Sequence, residues 1–97
     1  MIQGFAAHLI EINGTNYKNM IVMINGENRF VELRSLDRET PFTRFFDGML
    51  KVVRRNDEAV GCGEEINHED VVSIWQYNPY DLFGEKELPE TRRIRVL

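Results

Sequence analysis

The side chains best suited to chemistry in this 97-residue sequence sit mostly in its second half. Cys62 stands between Gly61 and Gly63, with His68 six positions on. A cysteine nucleophile needs its thiolate favoured and an imidazole within hydrogen-bond reach. Spacing alone supplies neither, and a loop cysteine without a chemical role is the simpler reading. His68-Glu69-Asp70 groups metal-capable side chains, but neighbours in a strand or turn point apart. His8 is the one other imidazole, so a zinc site made of protein ligands is poorly supplied. Glu64, Glu65, Glu69 and Asp70 place four carboxylates in seven residues. Paired acids hydrolyse glycosides only when held opposite each other across a cleft, so these read as a solvated acidic loop. The expectation is no catalytic residue, no metal and no cofactor.

Two further groups bear on binding. Trp75, Tyr77, Tyr80 and Phe83 combine large apolar area with polar tips, which suits an interface or a shallow ligand groove. The competing reading has Trp75 anchoring the core while Tyr80 and Phe83 pin a loop. Arg92, Arg93 and Arg95 lie in a segment that alternates charge with Ile94 and Val96, as an edge strand should. Positive charge there discourages edge-to-edge aggregation, and that role outweighs phosphate binding.

Bulk properties narrow the classes. Apolar residues make up 42% and charged residues 29%, ordinary for a globular protein, and the length suits one domain over residues 1–97. Sixteen acidic against twelve basic residues leave a net charge of −4, with a pI near 5.1. That balance gives no electrostatic reason to approach nucleic acid or anionic lipid. A single cysteine makes no internal disulfide, and the first ten residues lack the charged start and long apolar run of a signal peptide. No run is long enough to span a membrane as a helix. The expected setting is cytoplasmic, and Asn13-Gly14-Thr15 is read as a chance match to a glycosylation triplet.

The elements that must position these groups are strands. The central signal is Met20-Ile21-Val22-Met23-Ile24, then Asn25-Gly26-Glu27-Asn28, then Phe30-Val31-Glu32-Leu33, a hairpin around an Asn-Gly turn. A four-residue loop puts Val22 opposite Val31 and Met20 opposite Leu33, with Met23 beside Phe30. The first of these strands is apolar on both faces, so something must cover each side. Before it, residues 3–12 alternate as a strand that turns at Asn13-Gly14, with His8 packing on the Ala6 and Ile10 side. After it, residues 42–46 and 49–54 read as two strands joined at a tight Asp47-Gly48 turn, Leu50 and Val52 sharing a face. Residues 71–77 carry five β-formers and are read as a strand ended by Asn78-Pro79. Residues 80–90 then form a long loop, and residues 91–97 a half-buried last strand, expected to pair with the first.

The run from Lys18 to Leu33, followed by Phe45-Phe46-Asp47-Gly48-Met49-Leu50-Lys51-Val52, resembles the opening of amidohydrolase-superfamily enzymes. In that family such strands form a small accessory β-sandwich beside a catalytic barrel, and Thr91-Arg92-Arg93-Ile94-Arg95-Val96-Leu97 would be the returning C-terminal strand. The chain departs where the family places a Pro-Gly and a His-x-His metal pair. Arg54-Arg55-Asn56-Asp57 stands there instead, so no metal ligand carries over. The resemblance implies an accessory β domain without the chemistry.

Together these readings predict an all-β fold, a small sandwich or barrel of six to seven short, mainly antiparallel strands. The predicted role is a non-catalytic interaction or assembly module, a homodimer through an exposed strand edge or the aromatic residues 75–83. The alternative is a small-ligand or peptide-binding barrel with an aromatic-lined groove; a thiol or hydrolytic enzyme around Cys62 and His68 ranks third, and nucleic-acid binding fourth.

Overall fold

The computed structural model describes residues 2–36, 42–55, 66–67 and 70–97. Seven strands run through them: β1 (Gln3–Ile12), β2 (Thr15–Ile24), β3 (Phe30–Ser35), β4 (Thr43–Phe45), β5 (Met49–Arg54), β6 (Val72–Asp81) and β7 (Lys86–Arg95). They form one mixed sheet, ordered β3-β2-β1-β5-β6-β7, with β4 also on β1. The all-β expectation holds, and the sheet closes on itself. Phe30 N–H donates to the Asp70 carbonyl at 2.8 Å, and Val72 N–H to that of Asn28 at 2.9 Å. Around them Arg29 bridges Val71, so the start of β3 meets the start of β6. Five strands thereby ring the interior, and a sheet that meets its own edge removes the liability of an open one.

The β1–β2 hairpin turns at Asn13 and Gly14, whose φ values of 54° and 75° suit the twist of a two-residue loop. Asn13 does more than turn. Its Oδ1 accepts from Ile66 N–H at 2.6 Å and its Nδ2 donates to the Ile66 carbonyl at 3.1 Å. This pair ties Ile66, itself a core residue, to the hairpin. Asn13→Gly keeps the backbone conformation while removing both bonds, and is expected to cost about 1–3 kcal/mol, read as a fall in the urea midpoint. A change under about 0.5 kcal/mol, the range of an ordinary surface substitution, would show that the clamp contributes nothing.

Along β1 the inward residues are Phe5 and Ala7, then Ile10 and Ile12. The alternation therefore steps by one at His8, between the pairs Ala7↔Met20 and Leu9↔Lys18. The residue across from it in β2, Asn19, has a φ of 53°. The step corrects the expectation for His8, which is exposed instead of packed beside Ala6 and Ile10. Its Nδ1 is hydrogen-bonded to Asn19 Oδ1 at 3.0 Å, and its ring meets Phe45 edge-on.

The β2–β3 hairpin forms, with a different register from the one expected. Val22 faces Leu33, Met20 faces Ser35 and Ile24 faces Phe30, with an irregularity between Met23 and Ile24. Asn25 Oδ1 accepts from both Glu27 and Arg29 N–H, which organises a five-residue connection where four were expected. The bulge moves Val31 onto the outer face, where it packs with Ala6, Ile21 and Met23. Both faces of residues 20–24 are thus covered, as their composition requires.

The Asp47-Gly48 signal does not make a hairpin. β4 runs parallel to β1 along residues 4–6, and β5 continues parallel to β1 along residues 9–11. Between them Phe46 N–H donates to the Ala6 carbonyl at 2.8 Å, and its ring stacks on Phe5 at 5.9 Å. Gly48, with φ of 81°, steps the chain sideways instead of reversing it. The interior so formed is filled: Phe5, Ile10, Val22, Leu50, Val72 and Ile74 are each at most 1% exposed.

Past residue 77 the structure departs from the expected loop. β6 continues through a cis Asn78–Pro79 bond to Asp81, and β7 begins at Lys86. Together they make a ribbon whose register shifts between Asn78 and Tyr80. Proline is tolerated because this stretch of β6 has β7 as its one partner strand. The last strand pairs with β6, not with the first strand.

Candidate functional site

The outward face of β5, β6 and β7 is where aromatic and cationic side chains meet. Ile74 and Val72 point into the core, so Ser73, Trp75 and Tyr77 point away from it. Across the sheet Trp75 lies between Lys51 of β5 and Arg95 of β7, and Tyr77 between Met49 and Arg93. The Arg93 guanidinium sits over the Tyr77 ring, 5.8 Å from its centroid. Tyr80 meets the same ring edge-on at 6.5 Å. Trp75, Tyr77 and Tyr80 are all partly exposed, so the reading of Trp75 as the core anchor is corrected. Strand alternation explains it, because the inward places at this level belong to Leu50 and Ile74.

Of the four aromatics, the structure therefore gathers three. Phe83 stands apart, fully exposed at 102% in the turn between β6 and β7. Asp81 Oδ1 shapes that turn by accepting from Phe83 N–H at 3.1 Å and Gly84 N–H at 2.9 Å. Ile94, 57% exposed, lies opposite Gln76, on the other side of the ribbon from Trp75.

Sequence reasoning missed Ser73, Lys51 and Arg55 as members of this face. Arg55 Nε donates to Ser73 Oγ at 3.2 Å, and Arg95 Nη2 to the same oxygen at 3.3 Å. The signal that could have found them is the period of two, which puts Lys51, Ser73, Trp75 and Arg95 on one side once the pairing is known.

The face has an acidic border. The Tyr80 hydroxyl is held above its ordinary value, chiefly by partial burial and then by the charges of Glu11, Glu87 and Glu85, with Tyr77 adding to them. Cys62, His68, Glu64, Glu65 and Glu69 lie outside the described residues. Asp70 Oδ2 accepts from Asn67 N–H at 2.8 Å, and Arg54 Nε lies 4.0 Å from the same oxygen. Among the described residues no three His, Cys, Asp or Glu side chains group as a metal site would. No helix among them is long and apolar enough to cross a membrane.

The fold and this face define a small all-β domain built on one mixed sheet. Compared with protein-family models, with curated proteins and with solved structures, the chain finds no match in any of the three.

Proposed function

We propose that this domain is a non-catalytic interaction module that self-associates through the tip of its β6–β7 ribbon. The observation carrying this is Phe83, a large apolar side chain held fully in solvent by an ordered turn. Exposing a whole phenylalanine forgoes the free energy of burying it, roughly 1.5–3 kcal/mol, which an interface would recover. Ile94 adds a second exposed apolar residue on the same ribbon. The filled interior supports an outside surface over a ligand held within the ring of strands. A non-catalytic role also agrees with what the likeness to an accessory β domain implies.

The ribbon tip is a better interface than the free edge of β7. That edge carries Pro89 and three arginines, and its register against β6 is broken between Asn78 and Tyr80. Proline, charge and bulges all oppose strand addition.

Light scattering on a size-exclusion column tests the reading. The mass should rise from 11.4 kDa toward twice that value as concentration climbs through the high micromolar range. Phe83→Ser should remain monomeric at concentrations where the parent dimerises, with an unchanged melting temperature. A parent that stays monomeric at about 1 mM, weaker than even a minimal specific interface, would refute self-association.

A further inference from the structure

Arg55 and Arg95 approach one another in an unusual way. Both guanidinium groups donate to a single neutral hydroxyl, Ser73 Oγ, at 3.2 and 3.3 Å, on a residue only 6% exposed. The two donor nitrogens are therefore no farther apart than those two bonds allow. Two like charges so close repel, and a carboxylate beside them would offset that repulsion and accept paired hydrogen bonds from the guanidinium groups. Arg95 Nε donates elsewhere, to the Leu97 backbone oxygen at 3.0 Å. Among the described residues no side-chain carboxylate forms an ion pair with Arg55, Arg95, Arg93 or Lys51. Elsewhere the chain does pair its arginines, Arg29 with Glu27 and Arg34 with Glu32. The domain as a whole is acidic, so four cations around Trp75 and Tyr77 with no side-chain carboxylate partner among the described residues are a local reversal of sign.

We infer that the outward face of β5–β6–β7 docks an acidic, partly apolar segment of a partner protein, its carboxylates seated on Arg55 and Arg95 and its apolar side chains on Trp75. The inference rests on the interaction-module reading and adds a second surface to it, on the opposite side of the ribbon from Ile94. Guanidinium groups match planar carboxylates with paired hydrogen bonds, and the indole beside them offers apolar area. A protein segment fits better than single-stranded nucleic acid. A polynucleotide needs a cationic track along several phosphates, whereas here the cations end at Tyr80, where Glu11, Glu85 and Glu87 begin. A short peptide can stop at that border.

Trp75 is the sole tryptophan, so its emission reports on this face alone. The probe is a fluorescein-labelled peptide of alternating leucine and glutamate, six residues long, compared with an oligothymidylate of ten nucleotides carrying the same label. Saturable peptide binding is expected, with a change in Trp75 emission and an affinity that falls as salt rises from 20 to 200 mM. Arg55→Gln and Arg95→Gln should each weaken it by about tenfold, the scale of one charge-assisted hydrogen bond. Arg34→Gln, on distant β3, should bind as the parent does. Lys51→Gln serves as a further variant if an arginine change lowers the melting temperature. Tighter binding of the oligonucleotide would overturn the inference in favour of a nucleic-acid face. Peptide binding absent, or indifferent to both arginine variants, would overturn it outright. The earlier reading fails separately: Phe83→Ser should leave peptide affinity unchanged, and peptide binding by a strictly monomeric parent would sink self-association alone.

Discussion

Phe5→Ala is expected to cost about 3–5 kcal/mol, the range measured for deleting a buried aromatic ring. Phe5 is 1% exposed, points into the ring of strands and stacks on Phe46 with planes only 11° apart. Removing it empties space at the point where β4 gives way to β5, and the backbone there is tied to β1 through Phe46 N–H and the Ala6 carbonyl. The surrounding strands are hydrogen-bonded on both sides and cannot close the gap by moving together. For a domain near this size each kcal/mol shifts the melting temperature by about 4–8 °C, so the midpoint should fall by roughly 15 °C or more. Total stability of small domains is only about 5–15 kcal/mol, which leaves the variant near unfolding at physiological temperature. Phe45→Ala is the matched control. Phe45 is 47% exposed and neighbours Phe46 in the chain, yet its loss should cost under about 1 kcal/mol. Thermal unfolding followed by circular dichroism separates the two. Equal losses would mean that the interior is not where the structure puts it.

Gly48→Ala should be nearly as damaging, for a backbone reason. A Cβ at Gly48 would collide with the Tyr77 carbonyl oxygen and lie 3.1 Å from Asn78 Cα, both main-chain atoms that cannot rotate away. Its φ of 81° adds the strain any L side chain meets there, about 1–2 kcal/mol. Together these are expected to reach about 3 kcal/mol or more, the severe end for a point change. Gly14→Ala isolates the conformational part: its φ is 75° and nothing lies within 4 Å of the added carbon. The two substitutions should differ by at least about 0.5 M in urea midpoint, taking a slope near 1–2 kcal/mol per molar. The consequence reaches the docking face, because the strand pushed by the new methyl group is β6 at Tyr77. Indistinguishable midpoints would mean that β5 and β6 are not packed as described.

Much of this architecture was legible from local signals. Alternation marked β1 and the inward pair Leu50 and Val52, and Asn13-Gly14 marked a turn that the structure forms. The two-sided apolar run at residues 20–24 announced a covered strand, and it has cores on both faces. What escaped were events that depend on partners distant in the chain. Asp47-Gly48 carries the chemistry of a tight turn whether the chain reverses or only steps sideways, and β1 decides between them. Asn78-Pro79 ends a strand that needs bonds on both sides but not one paired on a single side. The β2–β3 register was missed because one bulge can exchange Val31 between faces at little cost in apolar burial.

The docking face was half legible. Its aromatics stood out by type, whereas Lys51, Arg55 and Ser73 look unremarkable until β5 and β6 are set side by side. The alternation of Arg93 and Arg95 with apolar residues suits edge protection, and β7 is the last strand in the order. The same residues also flank Tyr77 and Trp75, so one cationic row both guards the edge and lines the face.

A filled interior and a surface that self-associates through Phe83 make opposite demands on two sets of residues. Amide chemical shifts measured by heteronuclear NMR over a dilution series from about 1 mM to 20 μM, a span that brackets weak association, test this contrast most directly. Concentration-dependent shifts should cluster at Phe83, its turn and Ile94, while Phe5, Ile10 and Leu50 stay fixed. Shifts centred on those interior residues, or a spectrum unchanged at every concentration, would contradict it.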